Sequence, residues 1–197
     1  MRRRAGLLSI RTVRRSPAAK RAGCGDNAIV MRRSRFAVFV LVLLAAPLAL
    51  AVSVGEPAPS IALPDADGRT IELAKLRGRV VYVDFWASWC GPCKRSFPWM
   101  NEMADKYGAS GLTIVAINLD KKREDAQRFL QLAPARFAIA YDPAGTTPVA
   151  FAVKAMPSSY LVDAAGKIAL VESGFRDERK GEVEERIRAA LATRQSQ

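Results

Sequence analysis

The chain has 197 residues, enough for one well-cored domain and too few for two ordinary ones. Its formal charge of +12 invites a nucleic-acid reading, but 11 of the 31 Lys/Arg and a single acid, Asp26, fall in residues 1–51, leaving residues 52–197 nearly neutral. A nucleic-acid binder needs its basic face on the folded domain, so that class is excluded. Three cysteines and no histidine exclude an ordinary four-ligand zinc site as well.

Residues 1–51 read as a leader. From Met31 the sequence runs MRRSRFAVFVLVLLAAPLALA: arginines, an apolar segment Phe36–Leu50, then a small-x-small pattern at Ala49-Leu50-Ala51. This is the layout of a secretory signal peptide. An uncleaved membrane anchor is the alternative, since the apolar stretch nearly reaches the ~20 residues a spanning helix needs. The Arg-rich residues before Met31 are either a long n-region or lie upstream of a true start at Met31. Export permits disulfides. Cys24 belongs to the leader, so the exported domain, residues 52–197, has only Cys90 and Cys93.

Two short apolar runs, Ser60–Leu63 and Thr70–Leu73, flank Asp65-Ala66-Asp67-Gly68 and predict a hairpin. Val80–Trp86, VVYVDFW, is apolar at nearly every position, as in a strand covered by helices on both faces; Asp84 is the exception. A helix is expected from Cys90 to about Tyr107, with Pro98 as an internal breaker or kink. Strand Leu112–Leu119, helix Lys121–Leu132, strand Phe137–Tyr141 and helix Thr147–Lys154 follow, the last capped by Thr146 or Thr147. Strands Ser158–Val162 and Lys167–Val171 flank a turn at Asp163-Ala164-Ala165-Gly166, and Glu178–Thr193 closes the chain as a helix. The order ββ-β-α-β-α-β-α-β-β-α predicts an α/β fold with a mixed central sheet flanked by helices and an added N-terminal β-hairpin.

Chemistry concentrates in Trp89-Cys90-Gly91-Pro92-Cys93-Lys94. Placing Cys90 at a helix entrance and Cys93 three residues later brings both sulfurs to one face. The unpaired N–H groups of the helix start stabilise a thiolate on Cys90, the candidate nucleophile, and Cys93 is placed to resolve a mixed disulfide; Gly91 and Pro92 shape the loop. A purely structural bridge closing so short a loop would remove little unfolded-chain entropy. A redox centre is the better reading.

The segment VYVDFWASWCGPCKRSFPWM resembles the thioredoxin active site, and the leader with one such domain resembles the TlpA/ResA-like exported thiol:disulfide oxidoreductases. VGEPAPSIALPDADGRTIELAKLRGRVV is similar to the N-terminal hairpin of that branch and of peroxiredoxins. The resemblance spans about Gly55 to Leu191 and implies a thioredoxin fold. It implies that Met156-Pro157 forms a cis-proline loop facing the cysteines and binding substrate. It also implies that Asp84 is the buried proton acceptor for Cys93. Trp86 and Trp89 are expected beside the site, with Trp86 contacting substrate; simple core aromatics are the alternative. Thioredoxins place a lysine beside that aspartate, and here the corresponding residue is Ala116, so Asp84 is expected to titrate higher.

The Gly-Pro dipeptide between the cysteines, as in thioredoxin, implies a reductant. The resemblance further implies a location in the periplasm or on the outer face of the cytoplasmic membrane, with membrane attachment only through an uncleaved leader. Electrons would come from a DsbD/CcdA-type membrane donor, and clients would be apocytochrome c or copper-site proteins of cytochrome oxidase. No cofactor and no metal are expected. A disulfide-forming oxidase or isomerase is the rival within the class. A peroxiredoxin would need a Pro-x-x-x-Thr-x-x-Cys site, absent here, and an SCO-type copper protein would need a Cys-x-x-x-Cys pair and a histidine.

Overall fold

The computed structural model describes residues 52–195; the leader and start-site expectations for residues 1–51 lie outside the described residues. Two antiparallel strands, β1 (Ala62–Pro64) and β2 (Thr70–Glu72), form the N-terminal hairpin. Asp65 closes it: its carboxylate accepts from the Asp67 and Arg69 amides, both at 2.8 Å, while Gly68 takes a φ of +80° that a side chain would disfavour. A 3-10 turn, Leu73–Leu76, leads to β3 (Val80–Trp86).

The remaining elements are α1 (Cys93–Tyr107), β4 (Leu112–Asn118), α2 (Arg123–Leu132), β5 (Ala138–Tyr141), α3 (Thr146–Ala150), β6 (Ser158–Val162), β7 (Ile168–Ser173) and α4 (Lys180–Gln195). The five-stranded sheet has the order β5-β4-β3-β6-β7, with β3, β4 and β5 parallel and β6 and β7 antiparallel. The mixed thioredoxin-like sheet flanked by helices and the additional hairpin match the expected fold.

β3 is the middle strand, hydrogen-bonded on both sides and buried at all seven positions, which is why its sequence lacks alternation. Its two faces nonetheless join different layers. Val80, Tyr82 and Trp86 pack with residues of α1, α2 and α4, whereas Val81, Val83 and Phe85 pack against the hairpin, Leu73 and Phe151. Asp84 therefore shares the first face with Tyr82 and Trp86, which is also the face of the cysteines.

Boundaries at α1 and α3 depart furthest from the sequence expectation. α1 starts at Cys93, not Cys90, with Pro92 as its N-cap; the helix then runs through Pro98 without a break. A proline with fixed φ serves at a helix start, and it leaves residues 90–92 as a turn. α3 stops at Ala150 because Ala152 adopts φ +52°. Its start is held not by Thr146 or Thr147 but by Asp142, whose carboxylate accepts from the Thr147 amide at 2.7 Å, the Thr147 hydroxyl at 2.6 Å and the Gly145 amide at 2.9 Å.

Candidate active site

Strand β3 delivers the chain into the redox turn. The Cys90 amide donates to the Ala87 carbonyl at 3.0 Å, and the Cys93 amide donates to the Cys90 carbonyl at 3.2 Å and approaches Cys90 Sγ at 3.3 Å. The first amide of α1 thus points at the Cys90 sulfur although Cys90 lies outside the helix, and the anion-stabilising geometry is kept. The two cysteines form a disulfide. Cys90 retains 4% exposure and Cys93 none, so only Cys90 can be approached from solvent.

An anchor for this turn escaped the sequence reading. Asp120, just past β4, accepts from the Ser88 amide and the Ser88 hydroxyl, each at 2.9 Å, and from Asn118 Nδ2 at 2.8 Å; Asn118 Oδ1 accepts in turn from the Asp120 amide at 3.1 Å. Three donors on one buried carboxylate fix the segment two residues before Cys90. An Asn-x-Asp at the end of one parallel strand beside a Ser-x-Cys at the end of its neighbour was the available signal.

Cys90 opens onto a groove of about 560 Å³ lined by Trp89, Gly91, Pro92, Leu119, Pro148, Val153, Lys154, Ala155 and Met156. The walls are mainly apolar, and Lys154 is the one charged residue among them. Trp89, 71% exposed, stands on the rim. The Met156–Pro157 peptide bond is cis. Met156 lines the groove, while Pro157 is buried behind it.

Trp86 is not a substrate contact. It is completely buried, its ring 4.9 Å from Phe97 and 4.7 Å from Phe129, in an aromatic cluster between β3, α1 and α2. The full burial of β3 leaves no route from its last residue to the surface, so of the two expected tryptophans only Trp89 can meet a ligand.

Asp84 is 1% exposed and faces Ala116 across the parallel β3–β4 pair and Ser159 across β3–β6. Its Oδ1 accepts from the Ser159 hydroxyl at 2.6 Å, and its Oδ2 has no partner among the described residues. Burial pushes the carboxyl up to about 7, against the opposing pull of the Ser159 hydrogen bond. Among the described residues no cation offsets the burial, and the position facing it on β4 is Ala116. Tyr82, on the same face, is driven well above the usual phenol range by burial and then by the Asp84 charge, so it stays neutral.

Among the described residues no cluster of three or more metal-ligating side chains occurs. The arrangement is that of a dithiol/disulfide couple: one approachable sulfur, one enclosed sulfur, and a carboxyl on the same face that can hold or lose a proton near neutral pH.

The profile of the AhpC/TSA family matches residues 54–171. The chain is 32% identical over 133 residues to the thiol-disulfide oxidoreductase ResA of Bacillus cereus, covering 68% of this chain and 76% of that protein. It is 32% identical over 127 residues to the ResA of Bacillus subtilis, covering 64% and 71%. Among solved structures, the Chlorobium tepidum protein assigned as thiol:disulfide interchange protein DsbE superposes with a TM-score of 0.69 at 51% identity, over 71% of this chain and 99% of that one. Shared profile, curated relatives and a cysteine pair in disulfide contact agree: the chain belongs to the AhpC/TSA family of thioredoxin-like proteins and is a thiol-disulfide oxidoreductase of the ResA type.

Proposed function

We propose that the protein works outside the cytoplasm, in the periplasm or on the outer face of the cytoplasmic membrane, as a reductant of disulfides in exported proteins. The observation that carries this reading is the asymmetry of the couple, with Cys90 at the groove and Cys93 enclosed on the face that holds Asp84. Cys90 as thiolate attacks a client disulfide lying in the groove, and one client sulfur leaves as a thiol. Cys93 then passes its proton to Asp84 and attacks Cys90, which closes the Cys90–Cys93 disulfide and releases the second client thiol. The apolar walls, Trp89, and Met156 before Pro157 receive the client segment. An apolar groove strengthens orientation without requiring one sequence, which suits several clients.

Net reduction needs an electron supply, because a bacterial periplasm is kept oxidising. A DsbD/CcdA-type membrane donor fits that need. Apocytochrome c thiols before haem attachment, or copper-site cysteines of an oxidase, are the clients that the ResA-type relationship favours. The thioredoxin-like Gly91-Pro92 pair supports the reducing direction.

The test is the reduction potential of the Cys90–Cys93 couple, measured by equilibration with defined thiol buffers. A value near or below about −250 mV supports the reductant, on the thioredoxin side of the known range. A value near about −120 to −180 mV makes the protein a disulfide-forming oxidase or isomerase and removes the cytochrome-assembly reading.

A further inference from the structure

A proton accepted by Asp84 must leave before the next cycle, and the carboxyl is 1% exposed on the face it shares with Tyr82, Trp86 and the cysteines. Its hydrogen-bond partner among the described residues is Ser159. Ser159 also lines a second, small cavity between the β6–β7 edge of the sheet and the start of α4, together with Tyr82, Glu172, Arg179 and Arg176. That cavity has a volume of about 10 Å³, at the lower bound for a single water.

The surroundings are unusual for a strand edge. Glu172 stands opposite Ser159 in the β6–β7 pair and is 93% buried although it carries a carboxylate. Its Oε2 accepts from Arg179 at 2.9 Å and its Oε1 from Arg176 at 3.3 Å. Arg176, with a side chain 59% exposed, reaches solvent. Arg179 Nε is buried without a hydrogen-bond partner among the described residues, a donor that a water oxygen in the cavity would satisfy. Ser159, Tyr82, Glu172 and Arg179 line the cavity, side chains that can supply the two to four partners a water there needs.

We propose that Ser159, one water in this cavity and Glu172 form a proton relay that connects Asp84 to solvent at the β7 edge of the sheet, beside the start of α4. The proposal rests on the proton-acceptor role of Asp84. The protonated Asp84 donates to Ser159 Oγ, Ser159 passes its own hydroxyl proton to the water, and the water releases one along Glu172 to solvent between Arg176 and Arg179. One proton leaves, Asp84 regains its charge, and no electron moves. Tyr82, neutral throughout, borders the path without giving up its proton. Ala116 contributes nothing polar from β4, so β6 offers the open direction. Ser159 is a relay hydroxyl, and Glu172 positions the water.

The direct test is hydrogen–deuterium exchange of the Asp84 carboxylic proton in the oxidised full-length protein near pH 6, followed by the infrared C=O band that disappears in Asp84→Asn. In the relay, Ser159→Ala and Glu172→Gln each slow this exchange by roughly tenfold or more, and Ser159→Thr, which keeps the hydroxyl, restores it. Both principal variants are nearly isosteric, and a folded near-ultraviolet spectrum checks each. Unchanged exchange in Ser159→Ala overturns the proposal; slowing in Ser159→Ala alone overturns the Glu172 limb. Failure of the underlying base assignment would show elsewhere, as unaltered mixed-disulfide resolution in Asp84→Asn.

Discussion

Replacing Asp84 by asparagine should stabilise the domain at alkaline pH and leave it nearly unchanged in acid. The carboxyl is raised from 3.8 to about 7 by burial, so between these values the native state holds a proton that the unfolded chain has released. A group shifted in this direction gives its full relative stability below the unfolded value and loses it as pH rises through the native one. The shift corresponds to about 4 kcal/mol at most, from roughly 1.4 kcal/mol per unit. Asparagine has the same shape, carries no charge, and keeps an acceptor for Ser159, so it removes the cost of ionising inside the core. Urea unfolding of oxidised wild type and variant from about pH 4 to pH 9 reads the difference directly, because every other titrating group is common to both. The gain should open between about pH 4 and 7 and level off at roughly 2–4 kcal/mol above that. A pH-independent difference, or an asparagine variant less stable than wild type at pH 9, would refute the burial argument and the assignment of Asp84 as a group that ionises near neutrality.

Other perturbations probe the remaining parts. Cys90→Ser should abolish disulfide reduction in an insulin turbidity assay, whereas Cys93→Ser should accumulate a mixed disulfide with a client peptide, visible by mass spectrometry; turnover by either variant would rule out the two-step route. Asp120→Ala removes the acceptor of three hydrogen bonds at the Ser88 turn and should cost about 1–3 kcal/mol in denaturant unfolding while slowing reduction, with Asp120→Asn in between. Phe97→Ala opens the cluster beneath the redox turn, where Phe97 lies 4.9 Å from both Trp86 and Phe129, and should cost about 3–5 kcal/mol by the same measurement.

The sequence made most of the architecture legible because β3 and β4 are long, uninterrupted apolar runs and the cysteine motif marks the strand-to-helix junction. Asp84 stood out for the same reason: a charged residue within VVYVDFW has few explanations other than chemistry. Trp86 was misplaced because a strand's last residue is ordinarily half open, and only the tertiary packing of Phe97 and Phe129 closes over it. The start of α1 was set three residues early because the helix signal and the turn signal overlap at Pro92. Asp120 and Glu172 were missed for a shared reason. Each is an unremarkable acid in sequence, and its partners, 32 residues back for Ser88 and four and seven residues on for the arginines, become visible only once the sheet register and the approach to α4 are known.

The central position of β3 bears on how such a protein diversifies. Strands bonded on both sides are the last to open in native-state exchange, so the disulfide hangs from the part of the domain that fluctuates least. The facing wall, residues 148–156, is carried by a five-residue helix and a short loop in which Phe151 alone is buried against that rigid centre. Substitutions along this wall can therefore change which client proteins are accepted while the electrochemistry of the couple stays fixed, and one redox module can be reassigned to new clients without being rebuilt.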